Sequence, residues 1–459
     1  MRERIHMIGI GGAGMSAIAL VLQNSGAEVT GSDLKRSGYT DLLESAGVRV
    51  FIGHDRANLG EPDVVVVSSA ISESNPELAA ARERGLAVWP RARMLAELAG
   101  ERQTVAVAGT HGKTTTSSMT VAALKGSGAD PTFLVGGELN DVGSNAGCGS
   151  GPHYVVEADE SDGSFLHLYP HVAVITNIEA DHLDHYGDLQ AVESAFAAFM
   201  AKVPPDGIIV GCADDERVMR LAAGCDCRVV TYGTSEDADV RCVDVVPDGL
   251  GMRFTVTSGS GSREVRLKVP GEHNALNATA ALAVVEALGL DVDGAVEGLA
   301  SFAGVRRRFT LVGEVAGVTV VDDYAHHPTE VRATLRAARQ GRFRRVWSVF
   351  QPHRYSRTAS LGTEFGRAFE DTDKLVLMDV YSAGETPIPG VSGKTILEAV
   401  QSAEPRLPVA YFPHRQDVSR YLCENVREGD LVLTLGAGDV TTIGSEFISA
   451  MLDRSGVGA

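Results

Sequence analysis

The run Gly109-Thr110-His111-Gly112-Lys113-Thr114-Thr115 follows an apolar strand and opens a helix. That order suits phosphate chemistry: loop amides cradle phosphate oxygens, the lysine neutralises β/γ charge and the Thr114 hydroxyl can ligate Mg²⁺. The strict phosphate-loop pattern asks for glycine where this chain has Val107. Strand, loop, Gly-Lys-Thr and helix nevertheless occur in the required order, which points to ATP. A merely structural turn would leave Lys113 unexplained.

Two acidic segments follow, each at the end of an apolar strand: Glu157, Asp159, Glu160 and Asp162, then Asn177-Ile178-Glu179-Ala180-Asp181-His182-Leu183-Asp184-His185. Carboxylates and imidazoles at the C-terminal ends of parallel strands fall on the ligand side of such sheets, where they can hold Mg²⁺. Either segment alone reads equally well as a solvated loop. Two of them after a phosphate loop favour metal. Near the N-terminus, Gly9-Ile10-Gly11-Gly12-Ala13-Gly14 is a G-x-G-x-x-G after a strand, with Asp33 ending the next one. Its glycines allow a tight turn and close backbone approach to a diphosphate, and Asp33 can accept from ribose hydroxyls. A ligand-free glycine turn and an NAD(P) site are its rivals.

Further candidates are Asn274, at the start of an Ala-rich helix, where capping is the plainer role, and Arg306-Arg307-Arg308, which also reads as a surface charge run. Asp322-Asp323-Tyr324-Ala325-His326-His327-Pro328 and Gln351-Pro352-His353-Arg354-Tyr355 both follow strands. Such loops suit the binding of a second substrate and closure over a site.

Short β-rich runs alternating with helices position these clusters: IHMIGI, EVTGSD and VVVVSS, then TVAVAG, HYVVEAD and VAVITN, then VTVVDD, RVWSVFQ, KLVLMDV and DLVLTLG. This βαβ rhythm predicts parallel sheets with α/β architecture throughout. The pattern restarts near Glu101–Arg102 and again after FAGVRRRFT, which predicts three domains, 1–100, 101–305 and 306–459. At 459 residues the chain exceeds one ordinary core. Its formal charge of −19 excludes nucleic acid and anionic membranes as natural partners. Neither a signal peptide nor an 18-residue apolar stretch is present, so a cytoplasmic location is expected. The six cysteines then stay thiols, with Cys225 and Cys227 as filler rather than a metal site.

In order along the chain, GIGGAGMS, AGTHGKTTT, EADESD, NIEADHLDHY, GEHNALNA, GVRRRF, DDYAHHPTEV and FQPHRYSRT resemble the Mur ligase family over nearly its whole length. The opening and the DDYAHHPTE run look most like the branch joining L-alanine to UDP-N-acetylmuramate, and like its peptide-recycling relative. The resemblance implies a Rossmann-like N-terminal domain holding the UDP-sugar through Gly9, Gly11, Gly12, Gly14, Met15, Ser16 and Asp33. It also implies a central ATP domain and a Rossmann-like C-terminal domain closing over ATP and the amino acid. By the same resemblance, Gly109 through Thr115, Asn274, Arg308 and Asp323 meet the nucleotide. Thr114, Glu157 and His182 hold Mg²⁺. Lys113, His182 and Arg308 serve catalysis, and Tyr324, His326, His327 and Arg354 serve the amino acid and closure. The implied chemistry is ATP-dependent amide formation through an acyl phosphate, with no obligatory protein partner. Sibling ligases use a carbamylated lysine to bridge a second metal; here the corresponding stretch offers only Lys202, too late in the sequence.

Overall fold

The computed structural model describes residues 3–68, 70–100 and 102–455; Glu101 and the Asp184 side chain lie outside the described residues. The chain divides into two compact units. The first comprises the residues up to Val243 with Thr255–Val265 and Leu276–Phe302. The second comprises Asp244–Phe254, Arg266–Ala275 and everything from Ala303 onward.

In the first unit, β1 (Arg4–Ile8), β2 (Glu28–Asp33), β3 (Arg49–Ile52), β4 (Val64–Val67) and β5 (Ala87–Pro90) form a sheet ordered β3-β2-β1-β4-β5. All its pairings are parallel. The order reverses between β1 and β4, so the crevice of this doubly wound sheet opens at the end of β1, where the first glycine loop sits.

A ten-stranded sheet follows. It is built from β6 (Gln103–Ala108), β7 (Thr132–Leu139), β8 (Ser144–Gly147), β9 (His153–Glu157), β10 (Val172–Ile175), β11 (Ile208–Cys212), β12 (Arg228–Gly233), β13 (Val240–Asp248), β14 (Gly251–Ser258) and β15 (Gly261–Leu267). β6 lies between β9 and β10, in parallel with both. VAVA and VAVI are continuous apolar runs because these strands are buried on both faces. The β7–β8 hairpin and the β13–β15 ribbon depart from the βαβ rhythm that the sequence suggests. One hydrophobic cluster runs from Ile5, Met7 and Ile18 through Tyr154 and Ile175 to Phe196, so the first two sheets share a core.

The second unit contains β16 (Thr310–Val315), β17 (Val318–Asp323), β18 (Val346–Phe350), β19 (Lys374–Leu377), β20 (Val409–Tyr411) and β21 (Leu431–Leu435), ordered β16-β17-β21-β18-β19-β20. Only β16 is antiparallel. The described residues thus form three α/β sheets, as the alternating pattern predicts.

A buried carboxylate ties the first sheet to its glycine loop. Glu77 Oε2 lies 3.0 Å from His6 Nε2 and accepts from Ser32 Oγ at 2.6 Å, while Oε1 accepts from Asn58 Nδ2 and the Asp55 amide. The Ser32 carbonyl in turn accepts from the Gly9 and Ile10 amides at 2.8 and 3.0 Å. Burial alone would push the Glu77 pKa up, but donation from His6, Ser32 and Asn58 outweighs it and holds the group at about 2. Glu77→Ala is expected to cost about 3–5 kcal/mol, because it strands several buried donors. A carboxylate held low stabilises the fold above its unfolded value of 4.5, and this contribution is lost as pH falls toward about 2. The urea-midpoint gap between wild type and variant is therefore expected to be full at pH 7 and to close through that window.

Candidate active site

Gly9 sits at φ 81°, a backbone conformation that favours glycine and turns the chain sharply out of β1. The Gly11 amide donates to Asp33 Oδ2 at 2.8 Å, and a Cβ on Gly11 would sit 2.9 Å from that same oxygen. Asp33 therefore shapes the loop with one oxygen. Met15 and Ser16, on the helix Ala13–Asn24, are buried, and Ser16 Oγ donates to the Ala13 carbonyl. Both side chains pack beneath the loop. Asn145 of β8 donates to the Ala13 carbonyl at 3.2 Å, so the central hairpin buttresses the start of this helix.

The second glycine loop connects β6 to the helix Lys113–Gly126. Gly109 and Gly112 have φ of 139° and 82°. A Cβ on Gly109 would fall 2.0 Å from Thr176 Oγ1, and one on Gly112 3.0 Å from Asn277 Oδ1. The end of β10 clamps the loop. Thr176 Oγ1 and Asn177 Nδ2 donate to the His111 carbonyl, Asn177 Oδ1 accepts from the His111 amide, and Thr110 Oγ1 accepts from the Glu179 amide.

Lys113 Nζ donates to the Gly109 and Thr110 carbonyls at 2.7 and 3.0 Å and to Glu160 Oε1 at 2.8 Å. Burial works to discharge the lysine, yet Glu160, Asp159 and Glu157 outweigh it and keep the ammonium charged. Glu160 is pushed up to about 7 by burial, against the pull of Lys113. Asp159 stays low despite its burial, because Lys113 and the Ser161 amide favour its charge. Glu157 is raised by burial; its Oε1 accepts from Thr114 Oγ1 at 3.1 Å and its Oε2 from the Gly136 amide at 2.6 Å. His182, at φ 55°, places Nε2 3.8 Å from Glu160 Oε1 and 3.6 Å from Asp181 Oδ2.

The structure thus brings together Thr114 with Glu157, and Lys113 with Glu160 and His182. Oxygen donors with one imidazole fit a hard divalent cation, and Glu160 Oε2 is a buried acceptor with no hydrogen-bond partner among the described residues. Sequence reasoning did not single out Gly136. Glu160, Asn177 and Asn277 stand inside motifs already noted, whereas Gly136 carries no local signal. Lys202 Nζ lies over the Tyr169 ring, 4.5 Å from its centroid.

The second unit holds its own polar cluster. Asp323 accepts from the Phe309 and Ala325 amides at 2.7 and 2.8 Å, and burial raises it to about 6. Arg308 lies over the Tyr324 ring and 3.8 Å from Glu330. His327 caps the helix Pro328–Gln340, its Nδ1 accepting from the Thr329 amide. His326 packs edge-on to both Tyr324 and His353, and His353 stacks on Tyr381. Burial drives His326 down to about 3 and His353 to about 4. Arg354 sits at φ 68°, with its guanidinium 4.0 Å from Glu385. Asn274 Nδ2 donates to the Pro270 carbonyl at 2.6 Å, at the start of the helix Glu272–Ala287.

A doubly wound sheet with a glycine loop at its switch point, joined to a sheet whose glycine loop buries a lysine among carboxylates, defines a phosphate-handling nucleotide enzyme of the α/β class. Family models match three successive stretches: Mur ligase family, catalytic domain, at residues 4–103; Mur ligase middle domain at 107–285; and Mur ligase, glutamate ligase domain, at 307–438. The chain belongs to the Mur ligase family. It is 51% identical to the UDP-N-acetylmuramate–L-alanine ligase of Kineococcus radiotolerans, covering 98% of this chain and 97% of that one. It is 47% identical to the ligase of the same description from Pelotomaculum thermopropionicum, covering 100% and 99%. Among solved structures, the UDP-N-acetylmuramate-alanine ligase of Thermotoga maritima aligns with a TM-score of 0.82 at 30% identity, covering 98% and 99%. A murein peptide ligase of Psychrobacter arcticus aligns at 0.73 with 26% identity, covering 98% of each chain.

A Cβ on Gly136 would meet the Glu157 carboxylate at 2.4 Å. Gly136→Ala is therefore expected to displace Glu157, lowering kcat at least tenfold and raising the Mg²⁺ concentration needed for half-maximal rate. A metal titration of steady-state turnover checks this.

Proposed function

We propose that this chain joins the lactyl carboxylate of UDP-N-acetylmuramate to L-alanine, converting ATP to ADP and phosphate. The observation that carries the reading is Lys113, buried and charged beside Glu160 with Thr114 on Glu157, in a chain similar along its length to ligases of that description. The proposed domains are 1–100 for the UDP-sugar, 101–305 for ATP and 306–459 for closure and the amino acid. The proposed location is the cytoplasm; no helix among the described residues is long and apolar enough to cross a membrane.

A carboxylate oxygen attacks the γ-phosphorus, the β–γ bridging O–P bond breaks and ADP leaves, making an acyl phosphate. The alanine nitrogen, having lost a proton, attacks the acyl carbon, and the C–O bond to phosphate breaks. Lys113 sets its ammonium against the β/γ oxygens while the amides of Gly112 through Thr115, at the start of the helix, orient them, so positioning and charge provide the acceleration. Thr114, Glu157 and His182 would hold Mg²⁺, which neutralises phosphate charge when bound. Arg308, Asn274 and Asp323 serve the nucleotide, with Asp323 acting by holding the turn that presents Arg308. Tyr324, His326, His327 and Arg354 serve the amino acid and closure. Burial holds His326 and His353 low, near 3 and 4, which disfavours either imidazole as the base for the amine.

Phosphate release is expected to need ATP, Mg²⁺, UDP-N-acetylmuramate and L-alanine together. Preference for L-alanyl-γ-D-glutamyl-meso-diaminopimelate over L-alanine would instead assign peptide recycling, and release indifferent to the sugar nucleotide would sink the proposal. Lys113→Ala is expected to abolish release while calorimetric binding of UDP-N-acetylmuramate persists, because the two glycine loops end different sheets.

A further inference from the structure

The third glycine of the first loop has an unexpected neighbour. Gly14 lies within the helix Ala13–Asn24, where no positive φ demands glycine, yet a Cβ there would stand 2.5 Å from Arg91 Nη1. In a dinucleotide-binding fold this glycine ordinarily lets helix and strand pack closely. Here the space it leaves is filled by a guanidinium.

Arg91 follows Pro90, the last residue of β5, and begins the next helix. β5 is the second strand beyond the switch point, so its C-terminal end opens on the same side as the β1 loop. From there the half-buried Arg91 side chain reaches back over the first turn of the helix after β1.

The other described arginines in residues 3–100 are all engaged. Arg4, Arg36, Arg56, Arg82 and Arg84 pair with Asp63, Asp41, Glu83, Glu73 and Glu61. Arg49 and Arg93 lie over the rings of Phe51 and Trp89. Arg91 alone among them has no hydrogen bond, ion pair or ring partner among the described residues. In a chain of net charge −19, an arginine held without a carboxylate beside amides that favour anions is placed for an anionic ligand.

We infer that Arg91 is a binding residue for the diphosphate of the nucleotide sugar, and that Gly14 is glycine to seat it. The inference rests on reading the first loop as the UDP-sugar site. The guanidinium supplies a planar fork of donors that two phosphate oxygens can accept together, which lysine reproduces only as a point charge. Net positive charge enters the site without reliance on the central domain's Lys113.

The test is calorimetric binding of UDP-N-acetylmuramate to the full chain, with steady-state KM for each substrate. Arg91→Ala is expected to weaken sugar-nucleotide binding about tenfold or more and to flatten its salt dependence, leaving the KM for ATP unchanged; Arg91→Lys recovers part of the loss. Gly14→Ala, which shifts the guanidinium, is expected to weaken binding by less than Arg91→Ala does, and the double variant to be no worse than the weaker-binding single one. Arg93→Ala, on the same helix but stacked on Trp89, is expected to bind as wild type. Wild-type affinity and salt dependence in Arg91→Ala would overturn the assignment, as would fully additive losses in the double variant. Failure of the wild type itself to bind UDP-N-acetylmuramate would instead overturn the reading of the site on which the inference rests.

Discussion

The central domain is organised around one costly act, the burial of the Lys113 ammonium. An isolated cation taken out of water loses its charge unless opposite charges and acceptors surround it. Two loop carbonyls and Glu160 supply that environment, and Asp159 and Glu157 add charge from the same strand end. Burial penalises the carboxylates as well, which is why Glu160 rises to about 7 even beside a lysine. The cluster therefore holds a charge balance that an arriving polyphosphate with its metal would reset. Every backbone feature nearby keeps those groups within hydrogen-bond reach.

That reach depends on close approach. Gly109 lies against Thr176, Gly136 against Glu157 and Gly14 against Arg91, each with too little room for a Cβ. The glycines of this chain thus serve two physical ends: Gly9, Gly109 and Gly112 adopt conformations that L side chains avoid, while Gly14 and Gly136 simply leave space. Left-handed conformations also occur at His182 and Arg354, each the N-cap of a helix, and at Arg307 in the turn before β16. Such strain persists only where surrounding structure imposes it, and it clusters where side chains must be aimed.

The second unit handles its polar groups differently. Asp323 accepts from two backbone amides and the Thr334 hydroxyl, while His326 packs edge-on, His353 stacks on Tyr381 and burial keeps both imidazoles neutral at pH 7. Positive charge in this cluster comes from arginines, Arg308 and Arg354 among them.

How far local pattern reaches is clear from particular residues. Apolar runs such as VVVV and VAVI announce buried parallel strands, and Gly112-Lys113-Thr114 announces its loop, because period and turn chemistry act over a few neighbouring residues. Met15 and Ser16 belong to a legible motif, yet their burial beneath the loop is a consequence of packing. Glu160 as the partner of Lys113, Asn277 against Gly112, and the clamp of Thr176 and Asn177 on His111 join residues from about 45 to 165 positions apart. So does the meeting of Gly14 with Arg91, and so does the shared core of the first two sheets. The sequence by itself determined the α/β class, the strand ends where polar residues gather and the positions of the two glycine loops, because those are set by local periodicity and backbone freedom. Which carboxylate neutralises the lysine, which glycine makes room for which side chain and which arginine is left unpaired were decided only by tertiary structure, since each is a matter of ångström-scale distance between distant segments.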